Sequence, residues 1–264
     1  MIPQFEQEHA EVVLNEPVAE GLRLMRLSAR TIALSCKPAQ FVQVRTDAGN
    51  APFLRRPFSV LRADREEGWV EILYDVVGEG TRRLEAKACG SLLDLIGPLG
   101  LPFSPPESER LLLVAGGVGL VPLAFLAWEE QARLSTMVLL QGAASKARMP
   151  DLESLVPAGL DSHLATDDGS LGHHGLVTDL IPQHIIADNT VVFTCGPHPM
   201  MSRVASIVAD LGVACYASLE NHMGCGFGAC VGCVVEFHEA EREDVRYRRV
   251  CTEGPVVDAH AIKW

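Results

Sequence analysis

Residues 111–128 read LLLVAGGVGLVPLAFLAW, and this uncharged stretch decides how the second half of the chain is interpreted. Its 18 residues approach the length of a membrane-spanning helix. Three glycines and Pro122 interrupt the stretch, and such breakers are typical of a turn between two shorter elements. The pattern therefore predicts a buried strand followed by a helix, and it disfavours a membrane span.

The sequence around this stretch alternates between short apolar runs and amphipathic segments. Strands are predicted at RLLLVAG, TMVLLQGA, HLATDDG, TVVFTCG and VACYASLE, and helices at 119–133, GLVTDLIPQHI and PMMSRVASIVADL. Strands that alternate with helices favour a doubly wound parallel sheet. We therefore predict an α/β nucleotide-binding domain over residues 104–218.

The first hundred residues have a different pattern of apolar and polar residues. Short apolar or alternating runs such as FVQVRT, RPFSVLRA and WVEILYDVV are separated by turn residues, which is typical of a small antiparallel barrel. The stretch GPLGLPFSPPESE, rich in glycine and proline, indicates a domain boundary. The prediction is a multidomain β plus α/β chain, with an antiparallel β-barrel at 1–103, the α/β domain, and a small C-terminal domain at 219–264.

Composition restricts the classes of partner. The chain has 264 residues, of which 48% are hydrophobic and 21% charged, so it can bury sizeable cores. Its formal net charge of −12 repels phosphate backbones and anionic lipid, so nucleic acid and membrane surfaces are disfavoured as partners. The first residues lack the cationic and apolar regions of a signal peptide, so we expect a reducing, cytoplasmic location.

Eight cysteines are spread unevenly along the chain. Cys36, Cys89 and Cys215 are scattered, and we expect them to be ordinary buried thiols. Three others lie within the nine residues CGFGACVGC at 225–233. In a reducing compartment, such clustering favours metal binding over disulfides.

The spacing of this cluster is Cys225-x4-Cys230-x2-Cys233, and Cys251 follows later. Plant-type 2Fe–2S ferredoxins have this C-x4-C-x2-C…C arrangement, in which glycines allow the thiolates of one tight loop to converge. The alternative is a structural zinc site, which favours two CxxC-like pairs, and the sequence has one. A 2Fe–2S centre moves single electrons and therefore needs a two-electron partner.

A flavin site is indicated in the barrel by Arg56-Pro57-Phe58-Ser59. The arginine can pair with a diphosphate, the aromatic ring can pack on a flavin, and the serine hydroxyl can bond a ring nitrogen. Gly80-Thr81 at a helix start would place N–H groups under the same diphosphate. The alternative interpretation of so short a motif is a turn with a surface arginine.

A nicotinamide site is indicated where strands end in the α/β domain. Gly116, Gly117 and Gly119 join a strand to a helix, and Cys195-Gly196 ends another strand, where open α/β sheets bind ligands. Asp167-Asp168 follows a third strand, and carboxylates there would accept ribose hydroxyls and repel a 2′-phosphate, which favours NAD over NADP. The alternatives are a strand-to-helix turn at Cys195-Gly196-Pro197 and a solvated turn at the aspartates.

Two further features have weaker interpretations. Glu220 precedes the cysteine loop and could orient a cofactor, although a surface carboxylate is slightly favoured. His173-His174 lies in a glycine-rich turn, where adjacent side chains do not face the same way, so we expect two exposed histidines.

The order of these motifs resembles that of the ferredoxin-reductase-like flavoproteins. RPFS, GPLG, AGGVGLVPL, TDDGS, CGPHPMM, CGFGACVGC and VCTEGPVVDA follow one another along the chain. Within that superfamily the chain resembles the electron-transfer subunits of class 1B dihydroorotate dehydrogenases, from about residue 10 to 262. SLENHMGCGFGACVGC and VCTEGPVVDA are the most specific parts of the resemblance.

The resemblance implies a role for each matching residue. The predicted FAD contacts are Arg56, Pro57, Phe58, Ser59, Leu73, Tyr74, Asp75, Gly80 and Thr81; the predicted cluster ligands are Cys225, Cys230, Cys233 and Cys251; the predicted NAD-side residues are Gly116, Gly117, Gly119, Cys195 and Gly196. Phe58 stands where relatives often carry Ile, Leu or Tyr, and Asp75 stands where a basic residue is expected.

The resemblance also implies a mechanism and a partner. An FMN-bearing catalytic subunit, in a heterotetramer with two copies of each chain, would oxidise dihydroorotate, and electrons would pass through the 2Fe–2S centre and FAD to NAD+ in pyrimidine biosynthesis. Met223 and Phe227 are candidate docking contacts, unless they shield the cluster. The alternatives are an NAD(P)H-side subunit of a bifurcating ferredoxin reductase or hydrogenase, and a redox-sensing iron–sulfur protein without turnover.

Overall fold

Six antiparallel strands close into a barrel in the first part of the chain. The computed structural model describes residues 5–47, 49, 51–107, 109–186, 189–239 and 242–264. The barrel strands follow one another in the order β1-β2-β5-β4-β3-β6. Its elements are β1 (Glu6–Ala19), β2 (Leu22–Ser28), α1 (Arg30–Ser35), β3 (Phe41–Arg45), β4 (Arg56–Asp64), β5 (Trp69–Asp75), α2 (Glu79–Glu85) and β6 (Leu92–Leu99).

Strand β3 shows why the barrel is not a free-standing unit. Val42 and Val44 point into the barrel core, as the period of two in a strand requires. Phe41, on the opposite face, is also buried, because it joins the core that includes Cys233 and Cys251. The outer face of the barrel at β3 is therefore covered by the C-terminal part of the chain.

The second part of the chain forms a seven-stranded sheet in the order β10-β9-β8-β7-β11-β12-β15. All neighbouring strands are parallel except the last pair. The elements are β7 (Arg110–Gly116), α3 (Leu120–Glu129), β8 (Met137–Ala143), α4 (Leu152–Leu155), β9 (Asp161–Thr166), β10 (His173–His174), α5 (Ile181–His184), β11 (Thr190–Cys195), α6 (His198–Ala209), β12 (Cys215–Ser218) and β15 (Val256–Asp258), with short 3-10 helices at Gly117–Gly119, Gln131–Thr136, Lys146–Arg148, Val177–Leu180 and Ala259–Ala261.

The strand order reverses between β7 and β11, which are neighbours although the chain visits β8 and β9 between them. In open α/β sheets, ligands bind in the crevice outside the carboxyl ends of strands at such a reversal. Gly116 ends β7 and Cys195 ends β11, so the glycine motif and the Cys195-Gly196 motif are brought to the same edge of the sheet.

The cysteine segment carries its own small elements. A two-stranded sheet joins β13 (Val234–Glu239) to β14 (Arg242–Arg249), and α7 (Val250–Glu253) follows directly. The chain then returns to the large sheet, where β15 pairs antiparallel with β12. The predicted fold class is confirmed: an antiparallel barrel, a mostly parallel sheet and a small C-terminal domain. The boundaries at 103/104 and 218/219 remain predictions.

Residues 111–128 form β7, a short 3-10 turn and α3, as the breakers predict. All of the leucines in this stretch are buried in protein cores. Within the ranges that the structure describes, no helix combines the length and the apolar character needed to cross a bilayer.

Several sequence predictions are wrong in detail. The helix predicted at 119–133 ends at Glu129 and gives way to a 3-10 segment. The helix predicted at GLVTDLIPQHI breaks into a 3-10 turn and the single turn α5, because Pro182 cannot donate to the Thr178 carbonyl. His173-His174 is exposed, as predicted, but pairs with β9 as a two-residue strand.

Candidate functional site

A cavity of about 600 Å³ lies between the barrel and the segment that precedes the cysteine loop. Strand β4 contributes all four residues of the RPFS motif, because its backbone runs along the cavity wall. Strand β5 pairs with β4 and contributes the neighbouring wall. Eight of the nine residues predicted to contact FAD therefore line this one cavity: Arg56, Pro57, Phe58, Ser59, Leu73, Tyr74, Asp75 and Thr81.

Gly80 is the ninth residue predicted to contact FAD, and it does not line the cavity because it lies behind Arg56. A methyl group on Gly80 would be 2.9 Å from the Arg56 Nε atom, so the absence of a side chain lets the arginine lie flat against helix α2. The Thr81 hydroxyl accepts hydrogen bonds from the Val77 and Gly78 N–H groups at 3.0 and 3.1 Å. These two residues therefore shape the turn at which Arg56 is held.

Arg56 keeps a charge that a diphosphate could use. Its Nη1 donates to the Leu54 carbonyl at 2.6 Å, which fixes the guanidinium position. Among the described residues, no carboxylate forms an ion pair with it. Tyr74 lies deeper, where its hydroxyl donates to Asn15 Oδ1 at 3.0 Å, and burial raises the pKa of Tyr74 to about 12. Phe58 meets the Tyr74 ring edge-on, with 5.7 Å between centroids.

A second cavity of about 650 Å³ opens at the sheet edge where β7 and β11 end. Gly116, Gly117 and Gly196 line it, and their contact with a nicotinamide cofactor stays a prediction. Gly119 and Cys195 lie behind the cavity wall. A methyl group on Gly119 would be 2.2 Å from the Cys195 carbonyl oxygen, so Gly119 permits α3 to approach the end of β11.

The Cys195 thiol is buried in the protein. Burial, and secondarily the charge of Glu220, raises the pKa of Cys195 well above its ordinary value. The thiol is therefore neutral, and in this structure it supports the wall of the second cavity without lining it.

The two aspartates at the end of β9 have separate roles. Asp167 lines the second cavity. Asp168 instead accepts from the Ser170 hydroxyl at 2.6 Å and the Ser170 N–H at 3.0 Å, and these bonds hold the pKa of Asp168 below its ordinary value. The solvated-turn interpretation therefore describes Asp168, and the ligand interpretation stays open for Asp167.

The two cavities meet at Asp75, Val118 and Glu220, which line both. The Glu220 side chain is exposed to solvent, although the surrounding protein raises the pKa of its carboxyl by burial. The slight preference for a surface carboxylate therefore agrees with the exposure of Glu220, and a role towards a cofactor stays a prediction. Two ligands bound in the two cavities would touch at this junction.

Sequence reasoning missed Arg148, which lines the second cavity. Its guanidinium forms an ion pair with Asp75 of the barrel and donates to the Glu20 carbonyl at 2.7 Å. This contact ties the α/β sheet region to the barrel beside the cavity junction. The partners lie 73 residues apart, so no local pattern could have signalled the pair.

The four cysteines of the metal motif are arranged as two pairs. The Cys230 N–H donates to Cys225 Sγ at 3.4 Å, and the Cys251 N–H donates to Cys233 Sγ at the same distance. Burial raises the pKa of the Cys251 thiol to about 12, and the neighbouring Cys233 thiol adds to this effect. Such a pair favours a bound cation, which would offset the cost of ionising both sulfurs.

The Cys225/Cys230 pair has a different electrostatic environment from the Cys233/Cys251 pair. Burial raises the pKa of Cys225, but the N–H groups of Cys230, Phe227 and Ala229 outweigh burial and lower the pKa to about 7. Within the described part of the chain, no three His, Cys, Asp or Glu side chains converge closely enough to hold one metal ion. The N–H···S contacts therefore group the four cysteines as Cys225/Cys230 and Cys233/Cys251.

The cysteine loop lies next to the first cavity. Met223, two residues before Cys225, is half-buried and lines that cavity, and its role as a docking contact stays a prediction. Phe227 is half-buried and stacks on Phe5, with 5.4 Å between centroids.

Cys89, expected to be a buried thiol, is in fact exposed and donates to the Val13 carbonyl at 3.2 Å.

Comparison with known proteins identifies the C-terminal part. Residues 220–263 match the family model described as the iron–sulfur cluster binding domain of dihydroorotate dehydrogenase B. This range contains all four cysteines of the metal motif. The prediction of an iron–sulfur domain is therefore confirmed.

Solved structures show the fold of the whole chain. The NADH-dependent reduced ferredoxin–NADP oxidoreductase, studied for flavin-based electron bifurcation, has a TM-score of 0.81 and 26% identity, covering 97% of this chain and 90% of that one. The ferredoxin reductase of carbazole 1,9a-dioxygenase has a TM-score of 0.69 and 21% identity, covering 79% of this chain and 67% of that one. Both support a flavin-reductase fold.

Curated relatives match along nearly their entire length. The dihydroorotate dehydrogenase B (NAD(+)) electron transfer subunit of Bacillus caldolyticus is 38% identical over 256 residues, covering 96% of this chain and 97% of the relative. The corresponding subunit of Desulforamulus reducens is 35% identical over 258 residues, covering 97% of each. On this evidence the chain belongs to the family of electron transfer subunits of NAD-dependent dihydroorotate dehydrogenase B.

Proposed function

We propose that this chain carries electrons from a dihydroorotate-oxidising partner to NAD+ through an iron–sulfur cluster and FAD. The main support for this proposal is that the first cavity, the second cavity and the cysteine loop lie next to one another. The first cavity meets the second at Glu220, and the cysteine loop begins five residues later, with Met223 on the wall of the first cavity. A cofactor in the first cavity would therefore contact both neighbours.

The electron balance explains why three groups are needed. Oxidation of dihydroorotate to orotate releases two electrons and two protons, and NAD+ takes up two electrons and one proton as hydride. A 2Fe–2S centre carries one electron at a time, whereas bound FAD can take up single electrons and release a pair. The chain's own groups bind, orient and exclude water, while the cofactors supply the redox chemistry.

The residues of the first cavity suit FAD. Arg56 offers a diphosphate a guanidinium that has no carboxylate partner among the described residues, and it is held in place by the Leu54 carbonyl. Phe58 and Tyr74 offer aromatic surface to an isoalloxazine ring, and Ser59 offers a hydroxyl. In the second cavity, Gly116, Gly117 and Gly196 let a dinucleotide approach the backbone, and Asp167 offers a carboxylate to a ribose.

The arrangement of the cysteines supports a 2Fe–2S cluster. Each iron of such a cluster takes two thiolates, and the four cysteines lie as the pairs Cys225/Cys230 and Cys233/Cys251. A zinc ion would require four sulfurs around one point. Iron and acid-labile sulfide in a ratio of one, at two per chain, are the expected result of cofactor analysis.

The partner surface should lie around the same loop. Val231 and Tyr247 are large apolar side chains with 55% and 63% of their surface exposed, and Val234 is also exposed. Exposed apolar residues beside a cluster provide a docking patch at which an electron can enter over a short distance. We propose an FMN-bearing catalytic subunit as the partner, in a heterotetramer with two copies of each chain.

A second candidate function has a specific observation in its favour. The similarity to the NADH-dependent reduced ferredoxin–NADP oxidoreductase, at 26% identity over nearly the whole chain, suits an NAD(P)H-side subunit of a bifurcating reductase. Co-expression with candidate partners distinguishes the two. Copurification with a dihydroorotate-oxidising subunit, and dihydroorotate-dependent NAD+ reduction, support the main proposal.

Copurification with a ferredoxin-dependent reductase, without dihydroorotate oxidation, would support the second candidate. A chain that holds iron but neither flavin nor NADH-dependent dye reduction would indicate the redox-sensing alternative.

Asp167 is expected to set the preference for NAD over NADP. Replacing it with asparagine removes the negative charge from the second cavity, so the ratio of kcat/KM for NADPH to that for NADH should rise about tenfold. Steady-state dye reduction measures both values. Asp168→Asn is the matched control, because the Asp168 carboxylate is engaged with Ser170. Equal effects from the two variants would contradict this role.

A further inference from the structure

The side-chain amide of Gln43 is buried and has no hydrogen-bond partner among the residues described. It lies on β3, on the outer face of the barrel, and none of its surface is exposed. Neither Oε1 nor Nε2 has a hydrogen-bond partner among the residues described. Buried amides are nearly always hydrogen-bonded in native proteins, so this one requires an explanation.

The position of Gln43 supplies one. A methyl group on Gly226 would be 2.6 Å from both Cγ and Nε2 of Gln43, so the amide lies against the backbone directly after Cys225. On the other side, Gln43 pairs across the sheet with Pro57, which lines the first cavity. Gln43 therefore lies between the cysteine loop and the wall of the proposed flavin site.

Thr252 lies in the same way against a second glycine of the loop, Gly228. Its hydroxyl is buried and has no partner among the residues that the structure describes. A methyl group on Gly228 would be 2.9 Å from Thr252 Cγ2 and 3.6 Å from its Oγ1. Gly226 and Gly228 have φ angles of +84° and +89°, so each left-handed glycine of the loop lies against a polar side chain without a partner.

We propose that the Gln43 amide and the Thr252 hydroxyl donate hydrogen bonds to sulfur atoms of the iron–sulfur group and thereby raise its reduction potential. This inference rests on the proposed function, because it requires a bound cluster. Cluster sulfurs carry negative charge that increases when an electron is added, so donors stabilise the reduced state more than the oxidised state. Each would contact the iron–sulfur group through a hydrogen bond, and neither is an iron ligand.

The test replaces each donor by an apolar side chain of similar shape. Gln43→Met keeps the length of the side chain, and Thr252→Val keeps its branching. In the anaerobically reconstituted chain, a redox titration followed by electron paramagnetic resonance should show the Q43M equilibrium shifted about tenfold towards the oxidised cluster, or about 59 mV for one electron. Thr252→Val should shift in the same direction, and Thr252→Ser should retain the parent potential.

A measurement on the iron-free chain separates this role from packing. Because Q43M removes an unpartnered buried amide, the metal-free variant should unfold at the same or a higher temperature than the parent. A side chain that matters only for packing should instead leave the potential unchanged and lower the unfolding temperature. Gln131→Met, at an exposed site after α3, is the control for the substitution itself.

Failure of the proposed function and failure of this inference would give different results. A parent chain that takes up no iron contradicts the proposed function, and with it this inference. Parent, Q43M and T252V chains that hold iron with equal potentials contradict the inference alone. If Q43M fails to hold the cluster, the comparison of T252V with T252S decides.

Discussion

Replacing Cys251 with serine is expected to lower dihydroorotate-dependent NAD+ reduction by the complex at least about 100-fold, because changes in the outer shell of a metal site already cost 10- to 100-fold. Cys251 is buried beside Cys233, and burial raises its pKa to about 12. A metal must therefore compensate for ionising this sulfur, and a serine hydroxyl ionises far less readily than a thiol. The iron that Cys233 and Cys251 would hold would then lose one of its two protein ligands.

The same variant should retain NADH-dependent dye reduction, since the two cavities do not include Cys251. The pair of assays therefore separates electron entry at the cluster from hydride exchange at the flavin. Cys215→Ser is the matched control, because Cys215 is equally buried but lies on β12. A Cys251→Ser complex that keeps both its iron and its dihydroorotate activity would contradict the ligand assignment.

Gly119→Ala is expected to destabilise the chain by about 3 kcal/mol, the upper end of the cost of overpacking. The added methyl group would lie 2.2 Å from the Cys195 carbonyl oxygen and 2.6 Å from the Gly196 nitrogen. Both are backbone atoms, so neither can rotate away, and the start of α3 must move from the end of β11. That movement displaces Gly117 and Gly196, which line the second cavity.

Two measurements check this expectation. Urea unfolding of the purified variant should show a lower midpoint, and the KM for NADH in dye reduction should rise while flavin content stays constant. Gly212→Asn is the control, because Gly212 has a φ of +67° in open space, a conformation that asparagine tolerates. A Gly119→Ala chain with the parent's midpoint and KM would show that α3 and β11 are not held at this contact.

Local patterns were enough to predict most of the architecture. The alternation of apolar runs with amphipathic segments predicted the parallel sheet, and glycines at 116–119 predicted the break between β7 and α3. The spacing of Cys225, Cys230 and Cys233 predicted the iron–sulfur domain that the family match confirms. These features depend on neighbours in sequence, which is why the sequence alone reveals them.

Features that depend on distant contacts could not be predicted in this way. The pairing of β15 with β12 joins residues about 40 positions apart, and the Arg148–Asp75 ion pair joins the two main sheets. Glu220 lines two adjoining cavities, and nothing near it in sequence signals that position. Cys89 was misjudged because a thiol's apolar character does not determine its exposure.

The most direct test of the central claim is an anaerobic titration of the purified chain with NADH, followed by optical and electron paramagnetic resonance spectroscopy. The proposal predicts one FAD and two irons per chain, with NADH bleaching the flavin and then producing the resonance of a reduced 2Fe–2S cluster. A colourless chain, a chain that contains zinc, or a flavin that NADH reduces while the cluster stays oxidised would contradict the proposed electron path.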